Sequence, residues 1–334
     1  MKRNFLRNTL FLTAVAVFLT IVPSLLIKVK VINAYWAQIL TSGAVYALLA
    51  LSVNVVCGIT GQLSLGQAGF AAIGAYSVIF LTARAGIPLP VSVVIAGFIA
   101  AFFGFLIGFP TLKLEGDYLA IVTLAFGEII KVVLLNQKDL TGGPNGIQFL
   151  SFFTSSLKWG AFAAYISITG TLVLVVALLQ NFLRSTYGRA IMAVREDEVA
   201  ANSSGIRVFR YKMIGFIIAA FIGGIGGALY APLMGFVKPD FADFNHSVNY
   251  LIYVVLGGMG STTGSILAAY LLTVLQEYLR ILGNFRQLFY PLILIIVMLF
   301  RPQGLLGTKE FSFTKVLEKS FSFLKGKKKQ EVIQ

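Results

Sequence analysis

Apolar runs of about bilayer length divide this chain from one end to the other, and they leave it little choice but a bundle of membrane helices. A helix rises 1.5 Å per residue, so a hydrocarbon core near 30 Å takes about 20 residues. Runs near that length occupy residues 9–27, 34–57, 65–83, 87–110, 117–136, 159–183, 211–236, 247–260, 264–283 and 287–301. Two of them, 247–260 and 287–301, are short enough either to span or to re-enter. The first run follows Lys2, Arg3 and Arg7 but lacks a small-x-small cleavage site. Its apolar stretch also exceeds a typical signal-peptide core, so it reads as a retained helix. The expected fold is all-α, a polytopic helical membrane protein with about ten transmembrane segments.

Charge then sets the orientation. Charged residues make up 12% of the chain and apolar ones 57%, against about 25% charged in a soluble domain. The formal charge of +14 would suggest nucleic acid in a soluble protein. Here the cations flank the apolar runs, and no nucleic-acid partner is implied. With a cytoplasmic N-terminus and alternating spans, most of the 27 Lys and Arg fall on the cytoplasmic side, as the positive-inside rule expects. Both termini are then cytoplasmic. Residues 1–307 form the transmembrane domain, and 308–334 form a basic cytoplasmic tail, a topology anchor beside anionic lipid headgroups. The one cysteine, Cys57, lies in an apolar run and reads as an inert thiol, which excludes an internal disulfide and a Cys-based metal site. His246 has no second ligand beside it in sequence, so no metal site is expected.

One segment stands apart from the apolar pattern. Residues 184–212, RSTYGRAIMAVREDEVAANSSGIRVFRYK, form a charged island that the orientation places in the cytoplasm. From Tyr187 to Ala201 it holds helix formers and no proline, and Ile191, Met192, Val194, Val199 and Ala200 give a modest apolar face. Gly205 supplies a helix stop. A short amphipathic helix lying across the membrane face is expected. Its acids, Glu196, Asp197 and Glu198, argue against the negative inner leaflet and suit a protein partner better.

Here the residues carry a resemblance. GRAIMAVREDEVAANSSGI is similar to the coupling segment of ABC importer permeases, which docks into a cleft of an ATPase subunit; the matching positions are Glu198, Ala200, Ala201 and Gly205, with Val199 where alanine is commonest. On that basis the contact is expected to involve Gly188, Arg189, Ile191, Met192 and Arg195 as well, together with the acids. GITGQLSLGQAGFAAIGAY at 58–76, EGDYLAIVTLAFGEI at 115–129, LTGGPNGI at 140–147 and FRPQGLLG at 300–307 resemble the LivM-like branch of the LivH/LivM permease family. The similarity runs from about residue 40 to 307. It implies an inner-membrane permease subunit of an ABC importer for leucine, isoleucine and valine. The implied partners are a second, LivH-like permease subunit, two cytoplasmic ATPase subunits and an external amino-acid-binding protein. The chain itself would bind no cofactor, and ATP would be used by the partner subunits.

The sequence agrees on one independent point. It contains no G-x-x-x-x-G-K-[ST] phosphate loop, and GMGSTTGS at 258–265 has the glycines but no lysine. A transport subunit is expected rather than an enzyme. Permeases for urea, sugar or nucleoside would share the fold. An ion-coupled secondary transporter would need acids within the membrane, and Glu128 and Glu277 each have a basic residue three positions on, Lys131 and Arg280. A membrane enzyme would need a cluster of acids, histidines or cysteines at membrane depth.

The remaining candidates each keep two readings. Loops 58–66 and 257–264 both break apolar segments and both precede a small-residue helix. They are either tight cytoplasmic turns or a substrate path lined by Gln62, Ser64 and Gln67. Glu128 is either a substrate-ammonium or gating contact, or one half of a helical pair with Lys131. Asn145, in LTGGPNGI on the external side, sits in a binding-protein surface or plug, or in an ordinary connecting loop. Gly223, Gly224, Gly226 and Gly227 read as close helix packing.

Overall fold

The structure, a computed structural model, describes residues 32–114, 116–149 and 160–307, with Pro23, Leu26 and Ile27. The expected first span at 9–27 lies almost wholly outside the described residues, as does the tail 308–334. Beyond them, each apolar run from residue 34 onward is a helix. In chain order these are α1 (Ala34–Val53), α2 (Gln67–Ala83), α3 (Leu89–Thr111), α4 (Asp117–Asn136), α5 (Gly160–Arg184), α6 (Thr186–Glu196), α7 (Glu198–Ser203), α8 (Val208–Met234), α9 (Phe244–Gly257), α10 (Thr262–Tyr278) and α11 (Arg286–Phe300). A π-turn, Asn54–Ile59, extends α1. Two short strands, β1 (Ile147–Gln148) and β2 (Phe236–Val237), pair antiparallel. Among the described residues, six helices are long and apolar enough to cross a membrane: Ala34–Ile59, Leu89–Thr111, Asp117–Asn136, Gly160–Arg184, Val208–Met234 and Thr262–Gly283.

Helix α8 is the hub, packed against α1, α2 and α3. Its glycines are the reason. An ideal Cβ built on Gly224 would sit 2.5 Å from Ala100 Cβ of α3, on Gly226 2.8 Å from Leu49 Cδ2 of α1, and on Gly227 1.8 Å from the Ala71 carbonyl oxygen of α2. Lipid tails are as apolar as leucine, so membrane helices associate through such close backbone approach rather than through hydrophobic burial. The glycine run packs helices, as its sequence predicts.

Helices α2 and α9, of 17 and 14 residues, are both shorter than the hydrocarbon core. At 14 residues, α9 is about 21 Å long, short of a 30 Å core. Its first turn meets the first turn of α2, where Ser247 Oγ accepts from the Ala68 backbone N–H at 3.1 Å. From there α2 runs toward the β1–β2 pair, with the Tyr76 hydroxyl donating to the Val237 carbonyl. Helix α9 runs the opposite way, toward the island. Two part-length helices thus meet N-terminus to N-terminus inside the fold. The sequence places the second of them at 247–260, three residues late. Asn245 and His246 read as loop because they are polar, yet they form the first turn of α9.

Between α1 and α2 the chain is extended and runs through the bundle rather than over it. The Leu65 N–H donates to Thr123 Oγ1 of α4 at 3.0 Å, and a Cβ on Gly66 would fall 2.4 Å from the Thr123 carbonyl oxygen. Irregular backbone at membrane depth persists only against protein or water, because lipid offers its N–H and C=O groups nothing.

Candidate functional site

The island is two helices, not the single one its composition predicts. Ser185 caps α6 by accepting from the Gly188 N–H at 3.3 Å. At Asp197 the backbone turns extended (φ −158°, ψ 112°), and its carboxylate accepts from the Val199 and Ala200 N–H groups at 2.8 and 2.9 Å, starting α7. An aspartate that can satisfy the orphan donors of a new helix start makes the break favourable. Helix α7 then ends as foreseen. Gly205 has φ +81°, its N–H bonds to the Asn202 carbonyl and that of Ile206 to the Ala201 carbonyl, the paired bonds of a glycine-terminated helix.

Burial sorts the expected contact residues. Ile191 is 1% exposed and belongs to the hydrophobic core, where it anchors the island to the bundle. Gly188 and Ala201 are buried as well, Gly188 against the backbone of Leu183. Turned outward are Met192 at 39% and Val199 at 77% exposure, with Arg189, Glu196 and Ala200 beside them. Arg189 reaches back to the Arg184 carbonyl at 2.7 Å. Glu198 is exposed, yet its carboxylate pairs at 2.6 Å with Lys212 Nζ, a lysine buried at the start of α8. Two of the three expected docking acids therefore hold the island's own structure.

Arg195 has a role that its position in the sequence does not reveal. Its side chain lies across both glycine loops: a Cβ on Gly61 would sit 3.0 Å from Arg195 Cγ, and one on Gly260 would sit 2.9 Å from its Nη1. The loops also touch each other, since a Cβ on Gly58 would fall 2.4 Å from the Gly260 nitrogen, and the Gly260 N–H donates to Asn54 Oδ1 of the preceding π-turn at 2.8 Å. The 300–307 segment completes the group, as the Leu305 N–H donates to the Leu256 carbonyl at 2.7 Å. Two of the segments that resemble permease motifs in sequence, 58–76 and 300–307, thus meet the 257–264 loop at one end beside the island.

Gln62, Ser64 and Gln67 are 4%, 2% and 1% exposed, sealed in the core of this conformation. Gln67 Oε1 accepts from the Ser52 hydroxyl at 2.7 Å. The remaining side-chain polar atoms of Gln62, Ser64 and Gln67 have no hydrogen-bond partner among the described residues, an arrangement that is costly unless something else satisfies it.

The Glu128–Lys131 pair exists but is loose. Lys131 Nζ is 3.8 Å from Glu128 and 2.6 Å from Asp243, at the start of α9. The stronger partner lies 112 residues away, beyond any reading of helical spacing. Lys131→Gln strands both carboxylates. Because the pair is roughly a quarter exposed, the expected cost is about 1–3 kcal/mol, below the roughly 3–5 of a fully buried pair. The thermal midpoint of the detergent-purified protein should fall, and adding Asp243→Asn should recover most of it. Equal midpoints for Lys131→Gln and the unchanged chain would show that the contact contributes nothing.

At the other end, Glu277 pairs with Arg280 at 3.2 Å as expected and also accepts from the Tyr35 hydroxyl. Asn145 is exposed in a tight turn between Gly142 and Gly146, both at positive φ; the turn leads into β1 and so ties the loop to the end of α8.

Against known proteins, residues 35–300 match the family described as "branched-chain amino acid transport system / permease component". The chain is 38% identical over 325 residues to the high-affinity branched-chain amino acid transport system permease protein LivM of Escherichia coli strain K12, covering 90% of this chain and 75% of that one. It is 27% identical over 291 residues to the LivH protein of the same kind of system in Salmonella typhimurium, covering 81% and 94%. No solved structure matches it.

Proposed function

The chain belongs to the family of branched-chain amino acid transport permease components, and from that membership we propose that it is the LivM-like permease subunit of an ABC importer. It carries leucine, isoleucine and valine across the inner membrane with a second, LivH-like permease, an external binding protein and two ATPase subunits that hydrolyse the ATP. The observation that carries this reading is the island: a rigidly anchored pair of helices with an apolar outer tip at Met192 and Val199, at the end where the family-like segments gather. The ATPases seat on that tip, and residues 1–307 form the membrane domain behind it, with about ten spans and both termini in the cytoplasm.

Complementing a strain that lacks the chain tests the substrate. Labelled leucine should enter, and labelled urea and ribose should not; entry of ribose or urea alone would move the chain to another substrate class. Orientation is read separately in a Cys57→Ser background. Asn145→Cys should react with an impermeant thiol reagent added outside intact cells, and Ser204→Cys only after the membrane is opened. Reaction of both from one side refutes the proposed arrangement.

A further inference from the structure

Glu128 is the deepest charged side chain on any described span. It lies more than two turns inside α4 from Asn136. It is also not enclosed. Its side chain is 38% exposed, and it sits in a stripe of outward residues, Tyr118, Ile121, Ala125 and Val132, at the spacing of one helix face. An ionised carboxylate in the middle of such a face is too costly to leave against lipid, and acids at this depth face a neighbouring helix or water.

The carboxylate is also underused. Its two contacts among the described residues are long, 3.3 Å from the Phe244 N–H and 3.8 Å from Lys131 Nζ, beyond the range of good hydrogen bonds. Lys131 is spent on Asp243 at 2.6 Å, so two carboxylates share one ammonium and the cluster carries an excess negative charge. The site also adjoins the meeting of the two part-length helices: Gly127, the preceding residue, packs on Gly69 in the first turn of α2.

We propose that the α4 face bearing Glu128 lines the translocation path, covered by the second permease subunit, and that Glu128 receives the ammonium group of the passing amino acid. This rests on the reading of the chain as an amino acid permease. A primary ammonium is the ligand that an unsaturated carboxylate in a low-dielectric passage takes best, and an amino acid supplies one without net charge.

The complete complex in proteoliposomes, with its binding protein and internal ATP, tests this. Glu128→Gln should assemble with all subunits and lose at least tenfold in leucine uptake, and Glu128→Asp should restore part of it. In a Cys57→Ser background that leaves Glu128 in place, Ala125→Cys should react with a charged methanethiosulfonate, whereas Phe102→Cys, on the exposed face of α3, should not. Uptake by Glu128→Gln within twofold of the unchanged complex, or equal labelling at the two cysteines, overturns the inference while leaving the permease reading intact. Failure of the unchanged complex to move leucine at all overturns that reading instead.

Discussion

In membranes carrying Val199→Arg, the permease is expected to insert and fold normally and to lose its ATPase subunits. Val199 is 77% exposed on the second residue of α7, and its contribution to the cap is a backbone N–H that any residue keeps. Substitutions at such sites usually change stability by within about 0.5 kcal/mol. A partner's apolar cleft would instead have to bury an unpaired guanidinium, which costs about 2–5 kcal/mol at an interface. At about 3 kcal/mol the ATPase affinity drops roughly 100-fold, so affinity purification through the permease should recover little ATPase, and uptake should vanish. Glu198→Arg is a poorer probe, because it also breaks the pair with buried Lys212 and so disturbs the permease itself. Full recovery of ATPase with Val199→Arg would mean that the island docks nothing.

Gly227→Val should remove the folded protein altogether. Its Cβ would stand 1.8 Å from the Ala71 carbonyl oxygen. The obstacle is backbone, so no rotamer relieves it, and α2 must separate from the hub. Overpacking typically costs 1–3 kcal/mol, and a clash between two main chains should exceed about 3. Monodisperse protein in a sizing column is the measurement, with Gly170→Val on α5 as the control, where a Cβ meets nothing within 4 Å. A normal elution peak from Gly227→Val would show that the helices have room to part.

The helices were legible in the sequence because spanning length is a strong and local signal, and the glycine run of α8 was legible because close packing demands small residues. What the sequence hid was direction. Ile191 and Met192 are adjacent and equally apolar, yet a turn of about 100° per residue sends one into the core and leaves the other outside. Asp197 read as a surface acid, and only the backbone reveals that its carboxylate starts a helix. The two glycine loops were each visible as breaks. That Asn54 ties them together and Arg195 lies over both is a matter of tertiary contact. The same holds for Lys131, whose true partner, Asp243, lies on another helix.

The shortness of α9 has a consequence for biogenesis. About 21 Å of helix is too little to be released into lipid alone, and its first N–H groups would stand unsatisfied within the hydrocarbon. The first of them, on Phe244, makes a long 3.3 Å contact with Glu128 of α4, and Ser247 settles against the start of α2. Both of those helices are synthesised earlier. The later segment can therefore come to rest only after the first half of the bundle has assembled to receive it, and the order of manufacture along the ribosome matches the order in which the parts become stable.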